Sequence, residues 1–243
     1  MKSLILSLFI TQFIFCQDLT ASAILDSMNR VMTPENVKST IRQIITTSRG
    51  NEREFEYEMF SGSKGENVLL RYTKPNVVKG NAILMKNHSD DIWIYFQRTR
   101  RVRKLASSSK NQKVEGSDFS YEDFSSGDTW KEDYDNKRLL DEDDKYVLEL
   151  APKPDVSTSY GKMIVVIRKS DFYPDIIRYF DKNIVHEKTL TMEDIRNIEG
   201  YPTAMKMTMV NHLEDTKTRM EIVNSTYNIS YPDDYFTERY LRE

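Results

Sequence analysis

Short segments in which apolar and polar side chains alternate constrain the fold of this chain more than any other feature. In residues 54–59 the apolar side chains alternate with glutamates, and in residues 205–209 methionines alternate with polar residues. A period of two places every second side chain on the same face, which is typical of a strand with one apolar and one solvated face. These segments therefore predict a sheet.

Further strands are predicted near residues 39–47, 67–73, 81–86, 92–96, 146–150, 162–169, 175–181, 185–192 and 219–228. Short turns rich in glycine, asparagine and aspartate separate many of them. About ten strands at hairpin spacing predict a mainly β (α+β) protein with an antiparallel sheet large enough to curl. One helix is predicted to run from a Thr20 cap to Met32, and only residues 104–126 interrupt the strands.

The N-terminus predicts export. Residues 1–16 have the charged, apolar and polar order of a secretory signal peptide. We therefore expect residues 17–243 to form a single exported domain. Cys16 could carry a lipid anchor, but the bulky Phe15 before it disfavours lipoprotein processing, so cleavage after Cys16 is the preferred prediction. Cleavage after residues 21–23 would cut the predicted helix.

The charge balance gives no attraction to nucleic acid. The chain has 35 basic and 38 acidic side chains, and its only cysteine lies in the signal segment. Apart from that segment, no apolar run approaches the roughly 20 residues that cross a bilayer. We therefore expect neither a nucleic-acid partner nor a disulfide in the mature chain.

Residues 91–124 hold the most informative combination in the sequence. In residues 92–96, Trp93 and Tyr95 point to one face and three more apolar side chains to the other, so this strand should be covered on both sides. Basic residues then occupy five of the seven positions 98–104. Two interpretations of the basic cluster remain open.

In the first interpretation the cluster is an internal clasp, in which Arg100, Arg101 or Arg103 pairs with Asp118, Glu122 or Asp123. In the second it is a cationic rim for lipid phosphates or an anionic membrane surface, for which the planar guanidinium group is well suited.

The turn that follows the cluster is predicted to plug or gate the mouth of the curled sheet. Gly116 should adopt a backbone conformation that other residues resist, and residues 120–123 resemble a helix-capping pattern. Phe119, Tyr121 and Phe124 give the turn an apolar side. The candidate rim or gate residues are Arg100, Arg101, Arg103, Gly116, Asp118, Phe119, Tyr121 and Asp123.

The order of these motifs resembles the LolA-like outer-membrane lipoprotein-sorting proteins, in an uncharacterised branch with a GSDFSYED signature. The similar segments are residues 79–84, 93–95, 100–104, the signature itself at 116–123, and later pieces at 173–174, 181–188, 200–202 and 236–241. They span nearly all of the mature chain. Gln97 is a departure, since the family commonly has proline there.

This resemblance implies an incomplete antiparallel barrel with helices covering its concave apolar face. It also implies a periplasmic carrier of lipid or lipoprotein acyl chains, in transient contact with a membrane surface and with an inner-membrane exporter as a hypothetical partner. No cofactor is implied.

Alternation independently suggests residues that could line an acyl cavity. Methionine and aromatic side chains on the strand faces would form a soft, adaptable wall, although a closed packed core explains the same pattern equally well. The candidates are Phe55, Tyr57, Met59, Trp93, Tyr95, Met205, Met207 and Met209.

No enzyme motif is present, and we expect neither catalytic nor metal-binding residues. His88, His186 and His212 lie in unrelated strand or turn contexts without metal-ligand spacing. Two functions from different classes remain: a lipid or lipoprotein carrier, and a structural adaptor of an envelope complex that binds a protein partner instead of lipid.

Overall fold

A computed structural model describes residues 18–124 and 129–243. The predicted signal peptide at 1–16, including Cys16, lies outside the described residues. Within them, thirteen strands form one antiparallel sheet in the order β6-β5-β4-β3-β2-β1-β13-β12-β11-β10-β9-β8-β7.

The chain begins with helix α1 and later forms a short helix α2. The bounds are α1 Ala21–Met32, β1 Val37–Thr46, β2 Glu52–Gly62, β3 Asn67–Lys74, β4 Ala82–Lys86, β5 Asp91–Phe96, β6 Arg101–Leu105, α2 Trp130–Asp133, β7 Tyr134–Arg138, β8 Lys145–Pro152, β9 Lys162–Arg168, β10 Pro174–Phe180, β11 His186–Ile198, β12 Tyr201–Asn211 and β13 Thr216–Tyr227.

Pairing of the first and last strands converts two hairpin series into one curled sheet. β1 lies between β2 and β13, while β6 and β7 occupy the two ends of the strand order. The sheet is therefore an incomplete barrel whose edges are joined by the chain between β6 and β7. The predicted fold class is confirmed.

Helix α1 covers part of the concave face. Thr20 caps it by accepting a hydrogen bond from the Ala23 amide (3.2 Å), as the sequence predicts. Ile24, Leu25 and Met28 are buried in the main apolar cluster, which fills the concave side of the sheet. No helix among the described residues is long and apolar enough to cross a membrane.

The C-terminal residues 228–243 cover the convex face beside β1 to β5. Tyr231 donates a hydrogen bond to the Val37 carbonyl (2.5 Å), and Arg71 donates to the carbonyl of Tyr240 (3.0 Å). Aromatic side chains of residues 228–243 form a second apolar cluster with the convex face of the sheet. Phe60 and Tyr95 contribute to this cluster from the sheet. The sheet thus has separate apolar packing on each side.

Two strands were not predicted. The basic cluster itself is mostly strand, because residues 101–105 of β6 pair with β5. β7 pairs with β8 at the other end of the order. Both are edge strands, in which backbone pairing to one neighbour suffices and no alternating apolar pattern is required.

Candidate functional site

The segment 114–124, which we call the plug, lies against the concave face. Val114, Phe119 and Tyr121 are buried in the main cluster, and Phe124 packs against it. Burial raises the pKa of Tyr121 to about 12. A loop segment between the two sheet edges therefore supplies part of the apolar cover, as the sequence predicts.

Gly116 has the predicted special backbone. Its φ is +73°, a conformation that side chains with a Cβ resist, and an added Cβ would lie 3.0 Å from Nη2 of Arg53. The adjacent Glu115 also lies near Arg53. Burial raises the pKa of Glu115, and Arg53 partly opposes this change.

Asp123 fixes the C-terminal half of the plug. Its Oδ2 accepts hydrogen bonds from the Ser120 amide (2.7 Å) and hydroxyl (2.8 Å), and the bond from the amide is one half of the predicted capping pattern. The same oxygen accepts from the Lys188 ammonium (2.9 Å), and Oδ1 accepts from the Tyr160 hydroxyl (2.6 Å). The two charged side chains are only 6% and 1% exposed, so this is a buried ion pair.

Asp118 fixes the N-terminal half. Its carboxylate accepts hydrogen bonds from the hydroxyls of Thr216 (2.5 Å) and Thr218 (2.8 Å), and its amide donates to Thr218 (2.8 Å). Lys113 lies 3.4 Å from the same carboxylate. Both threonines belong to β13, so the plug is attached to the middle of the sheet.

Glu122, the third acid of the predicted clasp, accepts hydrogen bonds from the Thr158 hydroxyl (3.0 Å) and the Ser159 amide (3.2 Å). The three acids are therefore engaged, but not by the predicted arginines. Among the described residues, no ion pair joins Arg100, Arg101 or Arg103 to an acid, and all three are exposed. The pairing cations are Lys113 and Lys188. Lys188 shares the face of Leu190 and Met192, which are buried in the main cluster, so a cation at a core position was the sequence signal that was missed.

The arginines instead line one edge of the half-barrel. By alternation along β6, Arg101 and Arg103 share the face of Leu105, which packs against the main cluster. Arg103 also lies close enough to oppose the raised pKa of Tyr121. The basic cluster thus borders the concave side beside the plug.

The eight candidate cavity residues do not share one face. Phe55, Tyr57 and Met209 are buried in the main cluster, and Met59 and Met207 pack against it. Met205 is half-buried and lies outside both apolar clusters.

Trp93 and Tyr95 were wrongly placed with this set. They lie on the convex face in the second cluster, beneath the C-terminal segment. Both faces of β5 are apolar, so its sequence cannot show which of them faces the concave side.

An apolar cavity of about 200 Å³ lies beside the plug on the concave side. Met59 and Met207 line it from the sheet, Phe124 from the plug and Met32 from the end of α1. Two of the predicted residues therefore meet at one cavity. A second, more polar cavity of about 500 Å³ lies on another side of the plug, where Glu122, Tyr134 and Tyr160 contribute to its wall.

Three polar side chains lie in the floor of the concave face, on adjacent strands β1, β2 and β3. Gln43 and Tyr72 are each 1% exposed, and neither Nε2 of Gln43 nor the Tyr72 hydroxyl has a hydrogen-bond partner among the described residues. The Tyr57 hydroxyl donates only to the thioether sulfur of Met220 at 3.5 Å, a weak acceptor. An unsatisfied buried donor costs roughly 1–3 kcal/mol, so these groups require an explanation.

The plug covers this floor. Burial raises the pKa of Tyr72 well above its ordinary value, and Glu115 and Tyr121 of the plug add to the effect. Gln43 lies directly opposite Phe55 and Met220, two members of the main cluster. The sequence did contain one indication, since Gln43 is a polar residue at a core position between Ile41 and Ile45.

The histidines do not all lie apart, which corrects the sequence-based expectation. The rings of His186 and His212 have centroids 4.4 Å apart, and each ring lies 2.9 Å from the Thr189 hydroxyl. No group of three or more histidine, cysteine, aspartate or glutamate residues in the described part of the chain could hold a metal ion.

Solved structures share this architecture over almost the entire chain. A domain from Vibrio parahaemolyticus described as an outer membrane lipoprotein-sorting protein superposes with a TM-score of 0.84, at 24% identity over 92% of this chain and 98% of that one. A DUF1329 family protein from Desulfovibrio piger gives a TM-score of 0.83, at 25% identity over 91% and 97%. A LolA superfamily protein from Nitrosomonas europaea gives 0.77, at 24% identity over 91% and 99%.

The described residues thus have the fold of these lipoprotein-sorting and LolA superfamily structures, and the fold that the sequence resemblance implies is confirmed. Residues 64–243 match the model of a family described as "Uncharacterized protein", and the chain belongs to that family. No curated protein matches the sequence.

Proposed function

We propose that the protein is an exported, periplasmic carrier that holds an acyl chain of a lipid or lipoprotein against the concave face and delivers it toward the outer membrane. The plug is the observation that supports this most. Apolar side chains of the sheet are covered by a loop segment, which is attached through the carboxylates of Asp118, Glu122 and Asp123. Such a cover can leave without unfolding the sheet.

The size of the apolar cavity supports a cover that moves. About 200 Å³ lies below the roughly 300–1,000 Å³ that is typical of ligand pockets. A long acyl chain would therefore occupy this cavity together with the space that Phe119, Tyr121 and Phe124 fill in the closed state.

The energetics suit a carrier. At about 0.8 kcal/mol per buried CH₂, one long chain gains on the order of ten kcal/mol, which is similar to what holds it in a bilayer. Transfer between membrane and protein is then near balance. Displacement of the plug opposes binding and keeps the affinity from becoming too high for release.

The basic edge supports a transient contact with an anionic membrane surface. Arg100, Arg101 and Arg103 are exposed beside the plug, where cargo would enter or leave. The likeness to an outer membrane lipoprotein-sorting protein supports the same direction of transfer. The proposal includes an inner-membrane exporter as the donor of the cargo, because the family resemblance implies such a partner.

Filling the cavity tests the proposal. Met207→Trp should fill the apolar cavity and reduce binding of a pyrene-labelled fatty acid at least tenfold. Met205→Trp is the matched control on the same strand, because Met205 lies outside both clusters, and it should bind normally. Circular dichroism must show that both variants are folded, since overpacking costs about 1–3 kcal/mol.

The wild-type protein decides between the two classes of function. A carrier should co-purify with lipid in native mass spectrometry and take up the probe after delipidation. Absence of both would reject the carrier and favour an adaptor that binds a protein partner.

A further inference from the structure

The concave floor carries hydrogen-bond donors that an acyl chain alone would not use. Gln43, Tyr57 and Tyr72 lie on three adjacent strands, are at most 1% exposed and are surrounded by the main apolar cluster. Tyr72 lies directly opposite Tyr57, and their ring centroids are 5.4 Å apart. Gln43 lies one pair further along the strands, opposite Met220, whose sulfur accepts from the Tyr57 hydroxyl. The three groups therefore form a short diagonal polar row on an apolar surface.

Packing alone does not account for this row. Phenylalanine or methionine would fill the same space without a polar atom, and a buried donor without an acceptor destabilises the closed state. Among the described residues, Gln43 Nε2 and the Tyr72 hydroxyl have no acceptor, and Tyr57 has only a thioether. What the row lacks is an oxygen acceptor.

The plug determines when such an acceptor can arrive. Tyr121 and Glu115 lie near Tyr72, so the row is closed off while the plug is seated. Once the plug leaves, a ligand on the concave face meets the donors directly. The donors are neutral, so they suit an uncharged carbonyl oxygen better than a phosphate, which arginine and lysine bind well.

We propose that Gln43, Tyr57 and Tyr72 bind the carbonyl oxygens of ester- or amide-linked acyl chains, and that this row selects acyl lipids over other apolar molecules of similar size. The inference rests on the proposed carrier function and specifies its ligand. The carbonyl could belong to a glycerophospholipid or to the acylated end of a lipoprotein. Both sources share this chemistry.

A pair of lipids that differ only in the carbonyl tests the inference. Dioleoyl phosphatidylglycerol and its di-ether analogue have the same chains and headgroup, and displacement of the bound pyrene-labelled fatty acid measures the affinity of each. The wild-type protein should bind the ester lipid about tenfold more tightly, the difference that one or two neutral hydrogen bonds provide.

Two near-isosteric variants assign the preference to the row. Gln43→Met and Tyr72→Phe should each reduce the ester preference several-fold while the affinity for the ether lipid stays the same. Their melting temperatures should be unchanged or higher, because each removes an unsatisfied group. Tyr95→Phe is the matched control, since this buried tyrosine lies on the convex face, and it should keep the full preference.

Three results would overturn the inference. Equal affinity of the wild type for both lipids would show that the carbonyl is not recognised. Equal loss of both lipids in Gln43→Met and Tyr72→Phe would show a structural role alone. Binding of neither lipid would instead reject the carrier function, and the inference with it.

The source of the carbonyl is resolved by a further competitor. A synthetic diacylglyceryl-cysteine peptide presents the acyl end of a lipoprotein, and its affinity relative to dioleoyl phosphatidylglycerol ranks the two sources. Preference for either supports the inference, provided that Tyr72→Phe weakens the preferred one.

Discussion

Lys188 of β11 donates a hydrogen bond to Asp123 of the plug at 2.9 Å, and both side chains are almost completely buried. The Lys188 ammonium also lies 5.0 Å from the ring centroid of Tyr160. This ion pair ties the plug to the sheet. Removal of one partner leaves an uncompensated charge, so the pair controls how firmly the plug is seated.

Asp123→Asn should therefore destabilise the protein by about 3–5 kcal/mol, measured by urea unfolding, because Lys188 stays buried without its partner. Asp90→Asn is the control, since Asp90 pairs with Lys110 at the surface and should cost less than about 1 kcal/mol. Addition of Lys188→Met to Asp123→Asn should restore most of the loss. Equal effects of the two single variants would contradict the account of the plug.

Replacement of Arg100, Arg101 and Arg103 by glutamine should weaken binding to vesicles that contain phosphatidylglycerol, by about 1 kcal/mol per arginine at low salt. Stability should change little, because all three side chains are exposed and exposed ion pairs contribute less than about 1 kcal/mol. The control replaces Arg196, Lys206 and Arg219, which are paired on other strands. A lower melting temperature with unchanged vesicle binding would favour an internal clasp.

Tyr95→Ala should reduce stability by about 3–5 kcal/mol without changing the affinity of the folded fraction for an acyl probe. Tyr95 is buried against the C-terminal segment on the convex face, away from the plug. Probe titration at a temperature where the variant is folded checks this. A large loss of affinity would show that the convex cluster takes part in binding.

Acidification should destabilise the protein through His186. Burial is the larger cause, and the nearby His212 the smaller one, of a pKa of His186 below its ordinary value. The unfolded chain therefore binds a proton at this histidine more readily than the folded chain does. The contribution of His186 to the free energy of unfolding is therefore at its maximum above about pH 6.5. It falls as the pH drops from there toward the lowered pKa of His186. His186→Asn should reduce this slope in unfolding measured between about pH 7.5 and 5.5. An NMR titration that gives His186 an ordinary or raised pKa would contradict the prediction.

Local patterns predicted most of the strands, the capped helix and the plug, because each depends on residues close in sequence. The alternation in residues 54–59 and the glycine and capping pattern of residues 116–123 are examples. The faces of β5 could not be predicted, since Trp93 and Ile94 are both apolar and the C-terminal segment that covers Trp93 lies far away in sequence. A pattern with a period of two shows which side chains share a face of a strand, but not which segment of the chain covers that face.

The partners within the site were less predictable than its segments. Asp118 and Asp123 were expected to pair with nearby arginines, but Lys113, Lys188 and the threonines of β13 bind them instead. Lys188 is 65 residues from Asp123. Contacts of this range follow from the closure of the sheet by β1 and β13, which no local motif encodes.

Hydrogen exchange of the plug with and without an acyl ligand tests the central claim most directly. In the closed state the Val114 amide donates to the Phe119 carbonyl (2.9 Å) and the Tyr121 amide to the Gln112 carbonyl (3.2 Å), so both should be protected. Binding of dioleoyl phosphatidylglycerol should remove this protection while the amides of β1 and β13 stay protected. Unchanged or increased protection of the plug in the lipid complex would contradict its displacement by cargo.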